Sequence, residues 1–252
     1  NTRTAVFSRD GRIGFVGSPY RKDLDVFRNV SGSAMKITTV PMKAGADFLR
    51  LNQSGDRLAA IYGQAVTVLD TATMNETVNL RHNDVQKIWD LVWTTGGRLV
   101  GLVTAKDKRG SSASEEWIVA WDAATGKLLQ TVTNRTANYA LAVSPDGRRF
   151  AEGGADKTVR IRDAITLAVL QEFRAHNGPI TALAWHPTKP ILATASADLS
   201  IRLWNLEDGR RFEELNGPVS APNSLAFSPG GRRVGCACTD GSTRVWEPVS
   251  LR

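Results

Sequence analysis

Apolar and polar residues alternate along this chain in short runs, broken every few positions by Gly, Pro, Asp or Asn. The segment Leu199-Ser200-Ile201-Arg202-Leu203-Trp204 has a period of two, which places every second side chain on one face of a β-strand. No segment sustains the i, i+3, i+4, i+7 apolar spacing of an amphipathic helix. Residues 180–215 therefore read as four short strands: Ile180–Trp185, Pro190–Ser196, Leu199–Trp204 and Arg211–Leu215. The chain is predicted to be all-β.

The strands recur in units. An apolar triplet, a small polar turn with Gly and a basic residue return along the chain, centred on Gly11, Gly55, Gly97, Gly147, Lys189 and Gly231. These positions are 44, 42, 50, 42 and 42 residues apart. A large side chain ends an alternating strand in each unit, at Phe27, Leu69, Trp121, Arg162, Trp204 and Trp246, with gaps of 42, 52, 41, 42 and 42. Both series give one period and one insertion, assigned to the hydrophilic run from Asp107 to Glu116. That run, with Asp107, Lys108, Arg109, Glu115 and Glu116, is expected to form a protruding loop and a candidate interaction site.

Six units of four strands with a period near 42 resemble the blades of the WD40-repeat β-propeller family. Leu203-Trp204-Asn205, Ala120-Trp121-Asp122 and Val245-Trp246-Glu247 are similar to the family's Trp-Asp dipeptide, and Val68-Leu69-Asp70 and Ile161-Arg162-Asp163 are degenerate versions. The resemblance implies one propeller domain over residues 1–252, with blades near 4–40, 46–80, 85–132, 138–174, 180–215 and 222–252. Blade six is expected to carry three strands. Because seven blades are the commonest family count, the sequence is expected to be part of a larger, seven-bladed ring; the alternative is a compact six-bladed ring with an imperfect seam. The start at Asn1, with no charged segment and apolar core of a signal peptide, agrees with an excerpt.

The resemblance also implies a structural tetrad in blade five, made of His176, Ser196, Asp198 and Trp204. Its chemistry is mutual satisfaction of buried polar groups, the indole donating to the hydroxyl, the hydroxyl to the imidazole and the imidazole to the carboxylate. A Ser, a His and an Asp might suggest a hydrolase, but they occupy scaffold positions of the repeat. Blade four places Asn134, Gly154, Asp156 and Arg162 at the matching positions, and blade six has Cys238, Asp240 and Trp246.

Composition narrows the function. Hydrophobic residues make up 42% and charged residues 23%, enough to fill a core. No apolar run approaches the roughly 18 residues of a membrane-spanning helix. Two cysteines exclude a disulfide framework, and Cys236 and Cys238 read as buried thiols. His82, His176 and His186 lack metal spacing, and no phosphate loop, nucleophile elbow or dinucleotide fingerprint occurs, so neither a metal nor a cofactor is implied.

The net charge is +7, and eleven of the 32 Lys and Arg residues lie in the hairpins. Arg12, Arg57, Arg98, Arg148, Arg149, Arg232, Arg233 and Lys189 lie between first and second strands, and Lys127, Arg210 and Arg211 between third and fourth. In the resembled fold these turns share one face. Such a basic ring attracts an anionic partner, nucleic acid included, although no interleaved aromatics support base stacking. Equally, basic residues follow this Gly because the position is solvated. The expected function is a non-catalytic scaffold for a protein partner, with the opposite face favoured. The alternatives are a regulatory module fused to a catalytic domain and an enzyme with a channel-lined site.

Overall fold

The computed structural model describes residues 4–8, 10–30, 33–106, 114–134, 137–215 and 220–251. Six antiparallel sheets follow one another, over Thr4–Pro41, Phe48–Arg81, Val85–Asn134, Asn138–Arg174, Ile180–Leu215 and Pro222–Trp246. The first five have four strands each and the sixth has three, every strand pairing with the next in sequence. The first strands of successive blades approach one another and line a common axis, while the fourth strands lie outermost.

Burial follows this radial order. Second strands are covered on both faces and lose their alternation, so Ile191–Ser196 is buried throughout. Outer strands keep a wet face, as in Val169–Arg174. The apolar side chains collect in five clusters, each lying between two neighbouring blades. Between blades three and four, for example, Leu102 and Ile118 meet Leu141 and Phe150. Burying a side chain such as Phe150 contributes about 1.5–3 kcal/mol, so the blade interfaces hold the ring together. Among the described residues, the first strands of blades one and six do not come together as the others do. Phe7 on one side and Val245 on the other remain exposed.

The Asp that follows the strand-ending marker has a local task. Asp70, Asp122 and Asp163 each accept the N–H groups two and three residues on, and the hydroxyl of Thr73, Thr125 or Thr166. The carboxylate thereby closes the turn into the fourth strand and is held below the usual Asp range by these donors. The turn then needs a left-handed residue, met by Gly126 (φ 75°) and Gly209 (φ 69°) but by Met74 and Leu167 (both φ 59°) in blades two and four.

The insertion in blade three is built differently from the expected loop. Its second and third strands run over Arg98–Lys106 and Ser114–Asp122, so Glu115 and Glu116 are paired strand residues opposite Ala105 and Thr104. The strands continue because Ala105 and Trp117 are buried and draw the hairpin with them. Asp107, Lys108 and Arg109 lie outside the described residues.

Candidate functional site

The buried polar set of blade five is real, but its hydroxyl is Thr194 and not Ser196. Trp204 Nε1 donates to Thr194 Oγ1 at 3.0 Å, and Thr194 Oγ1 lies 2.7 Å from His176 Nε2. His176 Nδ1 faces Asp198 at 3.2 Å. Thr194 and Ser196 share a strand face, and the register sets Trp204 opposite Leu192, placing Thr194 one step along and Ser196 beyond reach. Ser196 Oγ instead accepts the Asp198 N–H at 3.1 Å. Gly178 is required beside this turn, because a Cβ there would lie 2.8 Å from Asp198 N.

The set has a pH signature. Burial pushes the His176 imidazole down to about 4, against the pull of the Asp198 carboxylate. Burial alone would raise Asp198, but hydrogen bonds from Ser200 and Asn177 and the nearby His176 hold it well below the usual carboxylate range. Desolvation also lowers His186. An unfolded His protonates near 6.5, so between about 6.5 and 4 the unfolded chain binds more protons. The stability from neutral His176 is present above that window and is lost as pH falls through it, by up to about 3 kcal/mol at the bottom. Urea midpoints measured from pH 7.5 to 4.5 should fall for the wild type. They should fall less for His176→Gln, which cannot titrate.

The same register corrects two other blades. In blade four the tetrad positions hold Asn134, Glu152, Asp156 and Arg162, with Glu152 replacing the expected Gly154. Arg162 Nε donates to Glu152 Oε1 at 2.7 Å, and Asn134 Nδ2 to Glu152 Oε2 at 3.2 Å. An ion pair therefore stands where blade five has a Thr and a Trp, and Glu152 is fully buried. In blade six the position belongs to Cys236 rather than Cys238. The two thiols are free and buried, their sulfurs 3.6 Å apart, and burial pushes Cys236 up to about 12. A thiol held protonated in this way is a poor nucleophile, so Cys236 is inert. In blade three the position is Gly101, which leaves Trp121 Nε1 buried without a hydrogen-bond partner among the described residues.

His186 stands in the hairpin between the first and second strands of blade five, where a surface position is expected of a turn. It is buried, its ring 5.1 Å from Phe227, and Gly231 must stay Gly because a Cβ would come within 2.2 Å of the imidazole. Asp90 was missed altogether. This buried carboxylate on blade three accepts from Arg50 of blade two at 2.6 Å and from Leu141 N of blade four at 3.0 Å. A bulge in the blade-three sheet also turns Trp89 outward. Its indole donates to Thr104, which donates to Glu116, while Lys87 Nζ sits 3.5 Å from the ring centroid and Tyr139 packs edge-on. Burial raises Glu116, and Glu115 accepts from Trp117 Nε1.

The basic hairpins divide into two groups. Arg12 pairs with Asp10, Arg57 with Asp70, Arg211 with Glu214 and Arg233 with Glu247, while Arg98 donates to the Ile165 carbonyl. Exposed pairs of this kind contribute little to stability. Arg148, Arg149, Arg210 and Arg232 are exposed, and their guanidinium groups have no partner among the described residues. Three concavities open on the same face. One of about 320 Å³ at the mouth of the central channel is lined by Phe7, Leu51, Val143 and Trp185. Two more, of about 360 and 370 Å³, continue outward beneath blade five. No group of three or more His, Cys, Asp or Glu side chains is placed to hold a metal among the described residues. Among the described residues, no helix is long and apolar enough to cross a membrane.

Residues 126–163, 167–205 and 209–247 match the family described as WD domain, G-beta repeat. Each match runs from the fourth strand of one blade through the third of the next, so the sequence repeat is staggered by a strand from the sheet. Transducin beta-like protein 3 from Bos taurus is 27% identical over 81% of this chain and 25% of its own length. Coronin-7 from Mus musculus is 33% identical over 48% of this chain and 14% of its own, and pre-mRNA-processing factor 19 homolog 2 from Arabidopsis thaliana is 32% identical over 52% and 25%. The chain thus spans about a quarter or less of these relatives. A chain in a crystal structure of the mitotic checkpoint complex superimposes with a TM-score of 0.77 over 97% of this chain and 73% of its own, at 20% identity.

Proposed function

The chain is a WD-repeat protein, and from that premise we propose that it is a non-catalytic platform for protein–protein interaction. WD-repeat propellers are in general non-catalytic. The observation that carries the reading is the use made of the reactive residues. His176, Asp198, Glu152, Arg162 and Asp90 are consumed in bonds within and between blades, and the cavity at the mouth of the central channel is walled by apolar side chains, amides, prolines and the Ser144 hydroxyl. Rigid blades then present loops and hairpins for recognition. Proteins such as coronin-7 carry the matched repeats within a much longer polypeptide, which supports a second reading of the platform as the regulatory module of a larger protein.

Affinity purification of the tagged chain, quantified against an unrelated WD-repeat propeller, should return a protein retained by this chain alone. The same partner should be lost when exposed groups are replaced on one face but not the other: Lys87, Trp89 and Tyr139 on one, and the unpaired hairpin arginines on the other. A chain that retains nothing selectively, or whose partner ignores both replacements, would overturn the proposal.

A further inference from the structure

We infer that the first hairpin of blade five, residues 185–191, is an acid-released latch, in which protonation of His186 frees the hairpin from blade six and opens the concavities beneath the blade. Such a device acts on the hairpin face whatever the platform holds there.

Two backbone bonds depend on the neutral ring. His186 Nδ1 accepts the N–H of Thr188 at 3.1 Å and the N–H of Lys189 at 2.9 Å. A ring nitrogen that accepts carries no hydrogen, so the proton of the neutral imidazole sits on Nε2. An imidazolium has hydrogens on both nitrogens, and Nδ1–H would then face two N–H donors. Protonation therefore breaks both bonds, and neither N–H has another partner among the described residues. Sister hairpins carry no such dependence. Ser8, Asn52, Ser144 and Ser228 stand at the matching places and accept an N–H through oxygens that do not titrate.

The surroundings do not compensate the cation. His186 is 1% exposed, its ring lies edge-on to Phe227 of blade six, and Nε2 abuts Gly231. The charged groups next to it on the two hairpins are Lys189 on its own and Arg232 and Arg233 beside Gly231, all cations. Glu247, at the end of the third strand of blade six, is turned to Arg233 at 3.8 Å. No carboxylate pairs with the ring among the described residues, whereas His176 has Asp198. Burial and the Lys189 ammonium thus hold the imidazole below its usual range. An opened hairpin returns the ring to water, where a His titrates near 6.5. The closed hairpin is therefore favoured above that pH and loses ground as pH falls below it.

This hairpin shapes the face around it. Pro187, Thr188, Lys189 and Pro190 wall one concavity beneath blade five, and Lys189 and Pro190 wall the next. Lys189 Nζ also reaches the Leu251 carbonyl, just past the third strand of blade six, at 3.4 Å. Release of the hairpin gives up these walls and that tie together.

The test is amide hydrogen exchange resolved by NMR at pH 7.5 and 5.0, corrected for the intrinsic pH dependence of exchange. Protection of the Thr188 and Lys189 amides should fall about fivefold or more, while that of Arg149, bonded to the Ser144 hydroxyl, should change less than about twofold. His186→Asn puts a non-titrating acceptor where blade two has Asn52, and should remove the pH dependence at Thr188 and Lys189. Circular dichroism confirms that this variant is folded. Ring nitrogen shifts of the wild type at pH 7.5 need no variant and should report the Nε2–H tautomer. The Nδ1–H tautomer, unchanged protection at Thr188 and Lys189, an equal fall at Arg149, or the same pH dependence in His186→Asn would overturn the latch.

Discussion

Replacing Arg162 with Leu is expected to cost about 3–5 kcal/mol of stability, the largest single loss anticipated for this protein. Glu152 is fully buried, and its carboxylate is met by the Arg162 guanidinium at 2.7 Å and the Asn134 amide at 3.2 Å. Removing the guanidinium takes the cation bonded at 2.7 Å away from this buried carboxylate, and also frees the Leu167 carbonyl, which Arg162 Nη1 holds at 2.7 Å. Blade five shows how the same position is filled without charge, by Thr194 and Trp204 at the equivalent places. The triple variant Asn134→His, Glu152→Thr, Arg162→Trp should therefore recover most of the loss, since a buried ion pair is often no more stable than the neutral set replacing it. Urea denaturation at neutral pH reads both outcomes. A loss below about 1 kcal/mol in Arg162→Leu would mean that solvent reaches Glu152 and that the pair is not part of the core.

The architecture was readable because every blade must repeat one register. Phe27, Leu69, Trp121, Arg162, Trp204 and Trp246 each stand opposite the matching residue of their second strand, so a spacing near 42 survives where the residue type does not. The side-chain chemistry was less readable, for a related reason. Residues two apart on a strand share a face, and spacing alone did not say whether Thr194 or Ser196 reaches Trp204. That one slip recurs as Gly154 for Glu152 and Cys238 for Cys236. Glu115 and Glu116 looked like loop because they are charged, whereas the strand is carried on by their buried neighbours Ala105 and Trp117. His186 stands where Ser8, Ser144 and Ser228 stand in other hairpins, and only packing from blade six buries it. Contacts between blades, such as Asp90 with Arg50 and Leu141, leave no periodic trace in a single sequence.

The two readings of blade five separate under substitution. Thr194→Val keeps the shape of the side chain but removes the acceptor for Trp204 Nε1 and the partner of His176 Nε2. Each buried group left unsatisfied costs about 1–3 kcal/mol, so a loss of about 2–5 kcal/mol is expected. Ser196→Ala removes one bond to a backbone N–H at a turn, and should cost no more than about 1 kcal/mol. Trp204→Phe alone should cost about 1–3 kcal/mol, leaving the hydroxyl free to keep its bond to His176. In the double variant Thr194→Val, Trp204→Phe, the indole no longer needs the lost hydroxyl. The two losses should therefore fall short of additive by about 1 kcal/mol, the sign of groups acting through a shared bond. Ser196→Ala combined with Trp204→Phe should be additive, because the structure gives those side chains no common bond. If instead the coupling appeared with Ser196 and was absent with Thr194, the hydroxyl of the set would be the one that spacing suggested, and the register between the second and third strands of blade five would be shifted by two residues.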